Sequence, residues 1–267
     1  NRTVAETFGG KQSKWKNHTF VFRVHDEPNP DKLNKFILLI SRLGYSMDIS
    51  TRSKLVSSYN KLFKDVEGKG EKNLVEQVAV RTMAKAVYTT DNIGHYGLAF
   101  DYYTHFTSPI RRYPDLMVHR LIERYLIDGQ PSADKKKYEE MCLHSSDMEK
   151  QAEEMERQSV KFKQAEYLQD KIGQVFDGLV SGVSKWGVYV ELKGNKCEGM
   201  VRYEDLPGDY YFLDEDNFRV IGEDTGKVIQ LGDEVKVRIK AVDLFKRQMD
   251  FVILDENNGK KKDRRRR

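Results

Sequence analysis

Gly187-Val188-Tyr189-Val190-Glu191-Leu192 is the stretch whose pattern settles how the second part of the chain folds. Aliphatic residues at 188, 190 and 192 alternate with Tyr189 and Glu191, a period of two that sends one face of a strand into a core and leaves the other outside. Working outward, Val175, Gly178 and Val180 come before it. Gly199-Met200-Val201, Val235-Lys236-Val237-Arg238-Ile239 and Met249-Asp250-Phe251-Val252-Ile253 come after it. Five short β-branched runs punctuated by Gly, Asp and Asn predict a five-stranded Greek-key barrel of the OB type over residues 173–254. The pattern changes at Gly173, so the boundary is placed near residue 172.

Upstream the period lengthens. Leu33, Phe36, Ile37, Ile40 and Leu43 recur at helical spacing after Pro30-Asp31, and Gly44 stands where such a helix stops. Leu74, Val75, Val78, Ala79, Met83 and Val87 mark a second helix behind the polar stretch from Glu67 to Lys72. From Tyr88 to Thr107 the Tyr, Phe, His and Gly residues follow no helical period, which reads as strand or ordered loop. Ser108-Pro109 offers an N-cap followed by proline in the first turn, with Leu116, Leu121, Ile122 and Tyr125 behind it. The longest helical candidate runs from about Ala133 to Ile172. In it Met141, Ser145, Met148, Ala152, Met155, Ser159 and Phe162 alternate by four and three, the spacing of a seam packed on a neighbouring element. Helical material with some strand over 1–172, followed by a barrel over 173–254, makes the fold class α+β.

Composition sets the outer bounds. With 39% hydrophobic and 11% aromatic residues among 267, the chain holds enough apolar material for two domains with true cores. Cys142 and Cys197 are its only cysteines and have no CxxC spacing, which argues against a disulfide framework or a zinc site and fits a reducing cytoplasm. No apolar run approaches the roughly 20 residues that span a bilayer. The first residues lack the order of a secretory signal, and a start at Asn1 directly into patterned sequence reads as a missing upstream portion. Net charge is +4, but the barrel segment is acidic, with Asp205, Asp209, Asp214, Glu215, Asp216, Glu223 and Asp224 close together, so any polyanion contact there has to be a local patch. Seven of the eight residues from Lys260 to Arg267 are Lys or Arg; 255–267 reads as a disordered basic tail that binds polyanions without sequence preference, or as a solvated terminus.

The densest chemical signal is Thr104-His105-Phe106-Thr107-Ser108-Pro109-Ile110-Arg111-Arg112-Tyr113. A helix start with outward N–H groups, opened by Thr107 and Ser108 and followed by paired arginines, is a phosphate-binding arrangement, and the guanidinium fork fits two phosphate oxygens. The bland alternative is that Arg111 or Arg112 pairs with Asp101 or Asp115. The six histidines form no ligand set; His25, His105 and His119 read as hydrogen-bonding anchors. Nowhere do three or four aspartates stand at close spacing beside small residues.

The string from His105 to Arg120, His105-Phe106-Thr107-Ser108-Pro109-Ile110-Arg111-Arg112-Tyr113-Pro114-Asp115-Leu116-Met117-Val118-His119-Arg120, resembles the signature of the RNB exoribonucleases. Phe22-Arg23-Val24-His25-Asp26-Glu27-Pro28-Asn29-Pro30-Asp31-Lys32-Leu33 is similar to the RNase R branch of that family, and the predicted barrel stands where the family has an S1 domain. The resemblance covers the chain up to the tail. It implies that 1–172 is the C-terminal part of an RNB catalytic domain, that 173–254 is an S1 RNA-binding domain, and that the remaining RNB half and cold-shock domains lie upstream. The implied activity is processive 3′→5′ hydrolysis of single-stranded RNA to nucleoside 5′-monophosphates. Mg²⁺ is implied as cofactor of the full-length enzyme, on an upstream aspartate cluster; no metal ligand is assigned here. The resemblance makes Arg111 the catalytic residue, stabilising charge at the scissile phosphate, and His105, Thr107, Ser108, Arg112 and Glu156 RNA contacts, with a solvated face as the other reading of Glu156. In the barrel, Phe176, Trp186 and Tyr189 resemble the stacking aromatics of S1 domains, Arg202 stands where many have histidine, and Lys185 and Arg238 are cations beside them. A core role is the alternative for Phe176. The expectation for the isolated chain is RNA binding without cleavage. The competing reading is a stand-alone, non-catalytic S1-type RNA-binding module.

Overall fold

The computed structural model describes residues 1–254; the basic tail anticipated at 255–267 lies outside the described residues. The elements run, in order, α1 Arg2–Gly9, β1 Phe22–Val24, α2 Pro30–Arg42, α3 Arg52–Asp65, α4 Lys72–Thr82, β2 Val87–Thr89, α5 Tyr113–Ile122, α6 Lys135–Gln169, β3 Val175–Ser184, β4 Gly187–Leu192, β5 Glu198–Arg202, β6 Tyr211–Asp214, β7 Arg219–Gly222, β8 Val228–Gln230, β9 Glu234–Asp243 and β10 Gln248–Ile253. Packing gathers them into two compact units, one of Asn1–Lys32 with Thr82–Met155, the other of Leu33–Arg81 with the chain from Glu156 onward.

In the first unit a two-stranded antiparallel ribbon, β1 with β2, sets Arg23 opposite Tyr88. Phe8, Phe20, Val21, Phe22, Met117, Val118, Leu121, Tyr125 and Cys142 form its core, so α1, β1, α5 and the first part of α6 each bury one face. Burial pushes the Cys142 thiol up to about 12, which leaves it an inert core group. The ribbon is fastened to α6 by polar bonds: Tyr88 N–H donates to Ser146 Oγ (2.9 Å), Thr90 N–H to Glu139 (2.6 Å), and Lys85 pairs with Glu153 (2.6 Å).

The second unit is built on a closed barrel of order β10-β5-β4-β3-β9. Val188, Val190 and Leu192 are buried in it while Tyr189 and Glu191 are not, as the alternation requires. Phe251 fills the centre, and Gly199 lies so close that a Cβ there would sit 2.5 Å from the Phe251 ring. Much of the acidic stretch of the barrel segment folds as a small sheet of its own, β6-β7-β8, reaching Gln230 and anchored in the barrel core by Val220 and Ile229. Ala165 and Leu168 of α6 join the barrel core.

Several local expectations are corrected. The helix read from Leu74 to Val87 ends at Thr82, whose carbonyl accepts from Asn29 N–H; Val87 pairs with Val24 in the ribbon, so a strand partner overrides the helical period. The helix expected at Ser108-Pro109 begins only at Tyr113, with Pro114 rather than Pro109 in its first turn, and Ser108 to Arg112 form a separate turn. The α6 seam packs only at its start. Ser145 is buried, but Met148, Ala152, Met155 (73% exposed), Ser159 and Phe162 are open. A four-three spacing cannot say which helix face is covered, and here the covered face is chosen by Cys142, Ser146 and the polar anchors to the ribbon. Helices α1 and α3 carry no expectation from sequence; α3 starts on Thr51, whose hydroxyl accepts from Lys54 N–H.

Candidate nucleic-acid interface

In the first unit, α6 presents Lys137, Glu140, Met141, His144, Ser145, Met148, Glu149 and Ala152 on one side at steps of three and four. Facing them are Tyr88 and the run Arg111 to Pro114, and between the two walls is a cavity of about 960 Å³. Such a concave, partly apolar space with a few convergent charged groups is the usual form of a ligand site.

The two arginines have different fates. Arg112 donates through Nη2 to Asp115 Oδ2 (3.0 Å), and Asp115 is fully buried, so for Arg112 the ion-pair reading holds even though it reaches the cavity wall. Arg111 is exposed at the same wall and makes no ion pair with any described residue. Its guanidinium keeps all five donors for a ligand.

Two of the lining residues, Glu149 and Tyr88, belong to a polar network. The Arg23 side chain, 13% exposed, holds Glu149 by two bonds (2.5 and 3.2 Å) and lies 4.5 Å above the Tyr88 ring. Burial pushes the Tyr88 hydroxyl up to about 12, so it stays protonated, and it meets His105 Nδ1 at 2.8 Å. Burial first, then the positive charges of Arg112 and Arg23, hold His105 down to about 4. The imidazole is therefore neutral at ordinary pH and is spent on Tyr88. His105, Thr107 and Ser108 do not line the cavity; Ser108 instead donates its backbone N–H to Asp115 (2.8 Å). Glu156 is exposed and lines no described cavity, whereas Glu149, two helical turns earlier, does.

In the second unit, Tyr189 lines a smaller cavity of about 240 Å³ together with Gln158, Lys161, Gly199, Lys246 and Arg247. Trp186, at the β3–β4 turn, is 65% exposed, with Lys185 Nζ 4.9 Å above its ring. Arg202 pairs with Asp250 (3.3 Å), Arg238 is exposed on β9, and Phe176 packs against the barrel core. The barrel thus groups Lys185 with Trp186 at one turn and puts Tyr189 in a cleft with three cations, Lys161, Lys246 and Arg247, while Phe176 takes the core role left open by the sequence.

Sequence reasoning missed Glu149 and Tyr88 as cavity residues. Arg23 and Glu149 are 126 residues apart, and no local pattern announces such a pair. Among the described residues no three His, Cys, Asp or Glu side chains group as a metal site, and no helix is long and apolar enough to cross a membrane.

The RNB domain family matches residues 1–128 and the S1 RNA binding domain family residues 169–253. The architecture is thus that of an RNB domain followed by an S1 barrel. The chain belongs to the ribonuclease R family. It is 38% identical over 238 residues to Ribonuclease R of Aquifex aeolicus, a match covering 88% of this chain and 34% of that protein. Ribonuclease R of Thermotoga maritima is 36% identical over 263 residues, covering 96% of this chain and 36% of that one. The solved structure of Mycoplasma genitalium RNase R in complex with ribose methylated single-stranded RNA has the same fold, at a TM-score of 0.84 and 24% identity, covering 95% of this chain and 40% of that one. The chain spans about a third of the length of the curated relatives it matches.

Proposed function

We propose that this chain is the RNA-gripping C-terminal part of a processive hydrolytic 3′→5′ exoribonuclease that releases nucleoside 5′-monophosphates from single-stranded RNA. The single observation carrying this reading is Arg111, a guanidinium without an internal acid at the wall of a cavity about 960 Å³ in volume, inside the motif that resembles the family signature. In the complete protein Arg111 stabilises charge on the scissile phosphate, where one well-placed donor is worth about 10²–10³ in rate. Arg112, held by Asp115, supports the same wall. Mg²⁺ would supply water activation in such an enzyme, but the described residues offer no grouping that fits it. Its ligands are assigned to the RNB half outside this sequence, together with cold-shock domains.

In the barrel, Trp186 and Tyr189 stack bases, with Lys185 beside Trp186 and Arg238 as a further cation on β9; each stacked base contributes about 1–3 kcal/mol with little sequence preference. Arg202 is the weaker assignment, because Asp250 and Glu204 compete for it. The isolated chain is therefore expected to bind single-stranded RNA, progressively less as salt rises, and not to degrade it. Titration of a labelled oligonucleotide at several salt concentrations, with a parallel incubation in Mg²⁺, tests both halves. Mononucleotide release by the chain alone overturns the second half, and binding that ignores salt overturns the first.

A further inference from the structure

The signature segment contains two residues to which the phosphate reading gives no task, Asp115 and His119. They stand four apart on α5, hence on one face of the helix. Both reach back to the segment that carries Arg111. His119 Nε2 bonds the Phe106 carbonyl (2.8 Å) and its ring stacks on Phe106 at 4.2 Å. Asp115 Oδ2 accepts from Ser108 N–H (2.8 Å) and from Arg112 Nη2 (3.0 Å), one contact on each side of Arg111. The turn between them is closed only by Arg111 and Arg112 N–H donating to the Ser108 carbonyl (3.3 and 3.1 Å).

We infer that Asp115 is the positioning residue for Arg111: its carboxylate fixes both ends of the Ser108–Arg112 turn and so aims the intervening guanidinium into the cavity. This rests on the reading of Arg111 as a phosphate ligand. The physical argument starts from a helix whose N-cap, Arg112, makes no side-chain cap bond. An acid in the first turn of such a helix ordinarily serves the helix's own N–H groups. Asp115 instead spends one oxygen entirely on the preceding loop, while its Oδ1 and Arg112 Nε are left buried without partners. A buried carboxylate with an unused oxygen is costly, and helix stability alone gives no reason to keep it. Holding a loop that has no strand or helix bonds of its own does give one. Asp115 never touches the ligand in this scheme; it acts through Arg111.

A double-mutant cycle on the whole chain tests this, with a fluorescein-labelled oligouridylate as the probe. Arg111→Ala is expected to weaken binding about tenfold and lower the salt slope by about one. Asp115→Asn is expected to weaken it by a similar factor in the unmodified chain and by less than about twofold in the Arg111→Ala background, because interacting residues are non-additive. If the two losses simply multiply, Asp115 does not work through Arg111 and the inference falls, while the phosphate role of Arg111 stands. If Arg111→Ala alone changes nothing, the phosphate reading itself fails. Should Asp115→Asn abolish the cooperative melt, amide exchange in the unmodified chain decides. Ser108 N–H, on a loop but bonded to a buried acid, is expected to exchange at least about 100-fold more slowly than an open amide, and free exchange overturns the inference.

Discussion

The cavity of the first unit and the barrel face of the second offer a ligand different chemistry. The cavity is concave, walled by a helix and a pinned turn, and its principal asset is one uncommitted guanidinium, Arg111. The barrel offers two rings, Trp186 exposed at a turn and Tyr189 half-buried in a small cleft, with cations close by. A phosphate needs charge held in a fixed direction, which demands buried support such as Asp115 and Arg23. A base needs only a flat apolar face, which a strand or turn of a stable barrel supplies with no further scaffolding.

That contrast can be broken at either end. The largest effect is expected in the complete protein, where Arg111→Ala should lower turnover by about 10²-fold or more with a small change in KM; a near-normal rate would remove the cavity's chemical role. Next, Gly199→Val should destabilise the barrel by about 1–3 kcal/mol or more, because the new side chain runs into Phe251. Calorimetry should then show the barrel transition shifted down, and an unchanged melt would contradict the close packing. Trp186→Ala should weaken RNA binding about tenfold without altering the salt slope, the opposite signature to Arg111→Ala. A changed slope would mean that the barrel also works through phosphates. The smallest effect concerns His105. Its ordinary value is 6.5 and the folded chain holds it near 4, so between those values only the unfolded chain takes up the proton and stability falls as pH drops. His105→Asn should make the melting temperature less sensitive to pH between 6.5 and 4, and an undiminished slope would assign the loss to other groups.

What sequence could reveal followed from how local the governing interaction is. The alternation in Gly187–Leu192 is a property of neighbouring residues, and the strand, its buried face and the barrel all follow from it. Trp186 was legible for the same reason, since a Ser-Lys-Trp-Gly turn leaves its ring outside. The α5 start was not: Ser108-Pro109 has the chemistry of a cap, but Asp115 takes the Ser108 N–H and the helix begins at Tyr113. Of two adjacent arginines, nothing local says which one the acid takes. Glu156 and Glu149 stand seven apart on the same helix, so periodicity treats them alike, and only contact with Arg23 distinguishes them.

The β1–β2 ribbon is three residues long on each side, yet it fixes which face of the chain Arg23 and Tyr88 share. Because strand side chains alternate, a shift of one position would put the two on opposite sides and take one of them away from its partner, Arg23 from Glu149 or Tyr88 from His105. This short pairing therefore makes the neighbourhood intolerant of length change: a single inserted residue within Phe22–Val24 should do more harm than most substitutions there, in a stretch too brief to look important on paper.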